Sequence, residues 1–258
     1  MKRVLLSMVI ACMVVLPFVT QAEGKMVVYL TFDDISADIV KDTSGSGNAG
    51  KMDASAKIVA GQFGKAVSFA GSRVTIPASA SLSANIFQTP FTVVMWINPT
   101  LTGNAWQQAF RAFRAADSSD TLFLNVNGTV SWRGRVNNAW AGGMCETAAG
   151  AVAANKWSHV AVWGDAKNFR IYINGTLSKE AAFQKTDGAN VNYYLGGDPP
   201  TTGESYSGAV DDFAIFNEAL KEADVVAIKN NGVGGVITSA VDPSNKSAST
   251  WAGLKSAF

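Results

Sequence analysis

Two Asn-Gly pairs, each set between runs of β-branched and aromatic residues, constrain this 258-residue chain more than any other feature. Leu122-Phe123-Leu124-Asn125-Val126 meets Asn127-Gly128 and returns as Thr129-Val130-Ser131-Trp132. Phe169-Arg170-Ile171-Tyr172-Ile173 meets Asn174-Gly175 and returns as Thr176-Leu177. Asn and Gly tolerate the positive φ of a type I′ turn, whose twist matches the strands it joins, so both segments are predicted as antiparallel hairpins. Runs at 27–32, 67–69, 74–76, 91–97, 157–163 and 209–216 have the same character and are bounded by turn residues, which predicts further strands. Phe91, Val93, Met95 and Ile97 share one face by the period of two, and Thr92, Val94 and Trp96 share the other. Apolar groups on both faces predict a central strand. One helix is expected, from about Lys221 to Asn230 with Gly232 as its stop. Many strands and one terminal helix predict an all-β sandwich. Residues 236–258 hold few core residues and are expected to be a tail.

The N-terminus sets the expected compartment. Lys2 and Arg3 precede an uncharged, mostly apolar run from Val4 to Val19, and Thr20-Gln21-Ala22 supplies small residues for cleavage. That layout predicts a signal peptide over 1–22 and export to the medium or the cell surface. A membrane anchor is the alternative, but the run is broken by Pro17 and is shorter than the roughly 20 apolar residues of a spanning helix. Val9-Ile10-Ala11-Cys12 also resembles a lipobox, which would put a lipid anchor on Cys12. Losing Lys2 and Arg3 takes the formal charge from +1 to −1, which leaves no basic field for nucleic acid. Cys145 is then the single cysteine, so no intrachain disulfide forms and the fold rests on its core.

Ordered segments across 26–230 carry a family resemblance. Tyr29-Leu30-Thr31-Phe32-Asp33-Asp34 is followed by Asp42-Thr43-Ser44-Gly45-Ser46-Gly47-Asn48, then by Gly61-Gln62-Phe63-Gly64-Lys65-Ala66-Val67. Phe91 to Pro99, Lys156-Trp157-Ser158-His159-Val160-Ala161-Val162, Arg170 to Gly175 and Gly208-Ala209-Val210-Asp211-Asp212-Phe213 complete the set. Together they resemble the LamG-like jelly-roll domains of the laminin-G/concanavalin-A-like lectin/glucanase superfamily. The resemblance implies a two-sheet antiparallel jelly-roll sandwich over 23–235. It also implies a non-catalytic, carbohydrate-binding or adhesion-type module whose partner is a polysaccharide, a glycoconjugate or another protein. A structural or protein-interaction module without a sugar site is the alternative, and a divergent glycoside hydrolase or lyase is a weaker third.

Calcium takes six to eight oxygen ligands. If the first and last strands are neighbours, Asp34, Asp42, Asn48 and one or both of Asp211 and Asp212 supply an oxygen-rich pocket for a structural calcium ion that stabilises the module, with Asp33 in reserve. The competing expectation is that Asp42 and Asn48 shape a turn while Asp211 and Asp212 cap backbone groups. Catalysis finds little support. Glycoside hydrolysis needs two carboxylates flanking one bond, and adjacent Asp211 and Asp212 should point to opposite faces of a strand. His159 is the sole histidine and is expected in the core or at an edge. For a sugar, an aromatic face with a few polar groups is needed, and Trp132, Arg133, Arg135 and Trp140 are the candidate contacts.

Overall fold

The computed structural model describes residues 26–240 apart from 83–84, 89, 114–118, 138, 141–143, 188–191 and 198–202. The expected signal peptide, Cys12 and the chain beyond 240 lie outside the described residues. The strands in chain order are β1 (Met26–Ser36), β2 (Ile39–Asp42), β3 (Gly50–Met52), β4 (Lys57–Ala60), β5 (Lys65–Ala70) and β6 (Val74–Pro77). They continue as β7 (Phe91–Pro99), β8 (Trp106–Phe113), β9 (Ser119–Asn125), β10 (Val130–Val136), β11 (Ala139–Trp140) and β12 (Cys145–Glu146). β13 (Ser158–Gly164), β14 (Asn168–Ile173), β15 (Thr176–Ala182), β16 (Asn192–Leu195) and β17 (Ser207–Phe216) precede the helix α1 (Glu222–Ala240).

All the strand ladders are antiparallel and join into one continuous sheet that folds over itself. One layer runs β4–β5–β17–β7–β13–β14–β15. The other runs β3–β6–β16–β8–β9–β10, with β11 and β12 on β10. β1 and β2 connect the layers, pairing β17 on one side and β3 on the other. This is the expected two-layer jelly roll. Between the layers lies one apolar core containing Phe91, Val93, Met95 and Ile97 from β7 and Val130 and Trp132 from β10. Phe91 meets Trp132 at 5.5 Å and Phe110 meets Phe213 at 5.3 Å between ring centroids, so aromatic rings tie the two layers together.

β7 is central as its pattern predicts, lying between β13 and β17. Its second face is apolar because α1 covers it: Val94 joins Tyr29, Trp163, Tyr172, Val225, Ile228 and Val233 in a smaller core. The helix runs past its expected end. Gly232 does break helical geometry, at φ 73° and ψ 166°, but a helical segment resumes to Ala240, across the boundary expected at 236.

Both hairpins form, with different turns. Asn174 and Gly175 have φ of 52° and 80°, the type I′ geometry. In the first hairpin the Gly128 N–H donates to the Asn125 carbonyl and only Gly128 has positive φ, at 81°. That is a three-residue loop ending in a left-handed glycine, not the expected type I′ turn.

β17 changes partner midway. Ser207 to Val210 pair with β5, whereas Phe213 to Phe216 pair with β1. Against β7, Asp211 faces Trp96 but Ala214 faces Val94, so one extra residue sits between them. Asp212 takes φ 49° at this bulge. A bulge re-aims side chains, and both aspartates therefore reach partners on the α1 side of the sheet, correcting the expectation that they point to opposite faces.

Candidate functional site

The outer face of β8, β9 and β10 gathers the aromatic and cationic candidates. On β9 and β10, Phe123 is paired with Ser131 and Thr121 with Arg133. These residues alternate with Leu122, Leu124, Val130 and Trp132, which belong to the core. Phe123 holds two indoles edge-on, Trp106 at 6.1 Å and Trp140 at 5.5 Å. Trp140 reaches it because β11 folds back on β10, with Arg135 paired to Trp140.

Each arginine lies over one indole, Arg133 at 3.9 Å from the Trp106 centroid and Arg135 at 5.0 Å from that of Trp140. The Arg133 guanidinium also donates from Nη2 to Glu146 at 2.6 Å and from Nε to the Ser131 hydroxyl at 2.9 Å. Trp140 keeps 38% of its surface exposed and is the accessible platform of the group. Arg133, Arg135 and Trp140 are thus brought together. Trp132 is not among them: it is 0% exposed and packs against Phe87, Phe91 and Phe110. Its strand parity matches Val130 and not Arg133, which removes it from any ligand face. Trp106 and Glu146 complete the group and were not among the expected contacts. Cross-strand pairing reveals both, and their linear sequence positions do not.

The five expected calcium ligands do not converge. Asp34 is an exposed residue paired with Lys41 at 3.1 Å, on an open groove of about 420 Å³ that Asp42 and Ile39 also line. Asp42 Oδ1 accepts the N–H groups of Tyr29 and Ser44, and its Oδ2 accepts the Ser44 hydroxyl and the Asn48 N–H. Asn48 donates to the Val27 carbonyl and accepts from Ser79. Asp211 Oδ2 accepts the Phe63 N–H at 2.8 Å, while Asp212 accepts the Tyr29 hydroxyl at 2.9 Å and the Val233 N–H at 3.0 Å.

Asp42 and Asp212 therefore sit at opposite ends of Tyr29, one on its amide and one on its phenol. Among the described residues no group of three or more Asp, Glu, His or Cys is placed to hold an ion. The donor set does not fit calcium, because donor hydrogens already point at the carboxylate oxygens where a cation would sit. Asp33, the reserve candidate, accepts the Lys65 N–H in the same manner.

His159, Trp96 and Asp211 form one row across β13, β7 and β17. His159 is fully buried against Trp96 at 5.5 Å, and neither ring nitrogen has a hydrogen-bond partner among the described residues. Burial, with the Lys229 charge adding, lowers its pKa to about 3. Burial raises Asp211 to about 7, against the opposing Phe63 amide and with the Asp212 charge adding. This row lies inside the fold and offers no open catalytic geometry. The Cys145 thiol is buried and pushed up to about 12, the state of an inert core residue.

With the fold and this face described, the class of protein is plain: a concanavalin A-like jelly roll bearing an aromatic and arginine-lined outer face. The family model of the concanavalin A-like lectin/glucanases superfamily, laminin G type, matches residues 70–226, and the chain belongs to that family. No curated protein matches the sequence.

Among solved structures, the chain is similar to the binding domain of Paraclostridial Mosquitocidal Protein 1 (TM-score 0.64, 19% identity, covering 80% of this chain and 52% of that one). It is also similar to domain 4 of AbnA, a GH43 extracellular arabinanase from Geobacillus stearothermophilus, in complex with arabinotriose (TM-score 0.61, 18% identity, 80% and 98% covered). A third is the binding domain of botulinum neurotoxin DC in complex with rat synaptotagmin II (TM-score 0.61, 16% identity, 80% and 51% covered). The chain spans about half the length of the toxin chains it matches. At these identities the likeness is one of fold.

Proposed function

We propose that this chain is an exported, non-catalytic module that binds carbohydrate on the outer face of β8 to β11. The observation that carries the reading is the Trp106–Phe123–Trp140 cluster with Arg133, Glu146 and Arg135 beside it. Pyranose and furanose rings present C–H faces that pack on indole, and their hydroxyls need a few fixed polar groups. The face supplies both. The arabinotriose complex of AbnA domain 4 supports the class of ligand, and the apolar leader over 1–22 supports export.

Affinity electrophoresis in gels cast with soluble polysaccharides tests the proposal. Retardation by at least one polysaccharide that is abolished in Trp140→Ala is expected. Retardation unchanged by that substitution removes the site from this face.

A protein partner is the second reading. The edge strand β4, exposed along its whole length with Ile58 and Val59 both accessible, favours it. A substitution on β4 that abolishes partner binding without touching polysaccharide retardation separates the two.

A further inference from the structure

The Arg133 charge on the outer face is balanced by Glu146, and the balance bears on which sugars fit. Arg133 is held on three sides: the Trp106 ring beneath it, the Ser131 hydroxyl on Nε and the Glu146 carboxylate on Nη2 at 2.6 Å. A planar guanidinium fixed by stacking and paired hydrogen bonds is a preorganised donor. At the other end of the cluster Asp187 closes the β10–β11 turn. Its carboxylate accepts the Asn137 N–H, and its own N–H donates to the Arg135 carbonyl. Arg133 thus shares the face with the Glu146 carboxylate, and the Asp187 carboxylate stands at the turn beyond Arg135.

We infer, resting on the carbohydrate reading above, that the ligand is a neutral glycan gripped through a pair of adjacent hydroxyls, and that Glu146 excludes acidic sugars. Neighbouring hydroxyls on one ring match the ion pair: one oxygen accepts from Arg133 and the other donates to Glu146. A uronate or sulfate brought to Arg133 meets the Glu146 carboxylate, which already occupies the guanidinium edge. Like charges at that separation repel, and the penalty grows as water is displaced. Hydrogen bonds to charged partners are also the stronger kind, so a neutral diol loses little by lacking a charge of its own.

The experiment compares neutral polysaccharides (linear arabinan, galactomannan, mixed-linkage β-glucan) with acidic ones (polygalacturonate, carrageenan) by isothermal titration calorimetry at low and high salt. The wild-type protein should bind a neutral polymer with an affinity that barely changes with salt. Glu146→Gln keeps the size of the side chain and removes its charge. It should weaken that binding roughly tenfold, the effect of one charged hydrogen bond, and bring in salt-sensitive binding to polygalacturonate. Thermal melting of the same variant confirms that it folds.

Wild-type preference for an acidic polymer, lost at high salt, overturns this inference while leaving the sugar site in place. Absence of binding to every polymer overturns the sugar site itself, and the neutral selectivity with it.

Discussion

The Tyr29 hydroxyl donates to Asp212 at 2.9 Å, joining residues 183 positions apart in sequence. The same hydroxyl accepts the Gly234 N–H at 3.0 Å, and the second oxygen of Asp212 accepts the Val233 N–H. One phenol and one carboxylate thereby clamp the chain just past the helix break at Gly232. The clamp explains two properties on the page: Tyr29 is pushed above its usual range by burial and the Asp212 charge, and burial raises Asp212 as well.

Tyr29→Phe keeps the ring and removes the clamp. It leaves a buried carboxylate oxygen and the Gly234 N–H without their partner, which costs about 1–3 kcal/mol. Chemical denaturation should report that loss, and limited proteolysis should cut the C-terminal helical segment sooner than in the wild type. Unchanged stability and unchanged cleavage would mean that α1 is held by its apolar face alone.

Trp132→Ala and Trp140→Ala should behave as opposites. The first empties a site between Phe87, Phe91 and Phe110 and should destabilise the fold by about 3–5 kcal/mol. The second removes a half-exposed ring, and its melting temperature should stay near that of the wild type. A mild effect at Trp132 with a severe one at Trp140 would reverse the assignment of the two faces of β10.

The His159–Trp96–Asp211 row predicts compensating pH effects. Asp211 is raised from 3.8 to about 7, so the stability it contributes is full below pH 3.8 and is lost as pH rises through 7. His159 is lowered from 6.5 to about 3, so its contribution is full above pH 6.5 and is lost as pH falls through 3. Between 3.8 and 6.5 the two slopes oppose each other. Relative to the wild type, Asp211→Asn should lose stability more steeply on acidification from pH 6.5 to 4. His159→Phe should instead lose it more steeply as pH rises from 4 to 7. Melting curves across this range for the three proteins provide the check, and parallel profiles would contradict it.

Chelation should leave the melting temperature where it is. Every oxygen of Asp42 and Asp212 already accepts a donor from the protein, and an ion that the folded state does not bind adds nothing to its stability. A rise in melting temperature on adding calcium, reversed by EDTA, would restore the metal site.

The strand framework was legible because it follows local rules. Alternation placed Phe91, Val93, Met95 and Ile97 together, and Asn174-Gly175 specified its own turn. The site is not legible where a single residue of register matters. Trp132 and Arg133 are neighbours in sequence, yet parity sends one into the core and the other outward. The extra residue at Asp212 resets parity again, and no residue type in Val210-Asp211-Asp212-Phe213 announces it. Trp106 joins Phe123 only through the β8–β9 ladder, a tertiary fact. Chemical type marks the five oxygen-bearing residues as ligands, whereas the roles of Asp42, Asp211 and Asp212 are decided by donors arriving from Tyr29, Phe63 and Val233, distant segments that composition does not rank.

The fork in β17 bears on how the domain is made. The last strand among the described residues is also an inner one: β5 and then β1 lie along one edge, and β7 along the other. Contacts of such long sequence separation must be closed against chain entropy, which slows folding. Until Ser207 to Phe216 is in place, β1 and β5 each keep an open edge, so the layer closes only when β17 inserts between them and β7.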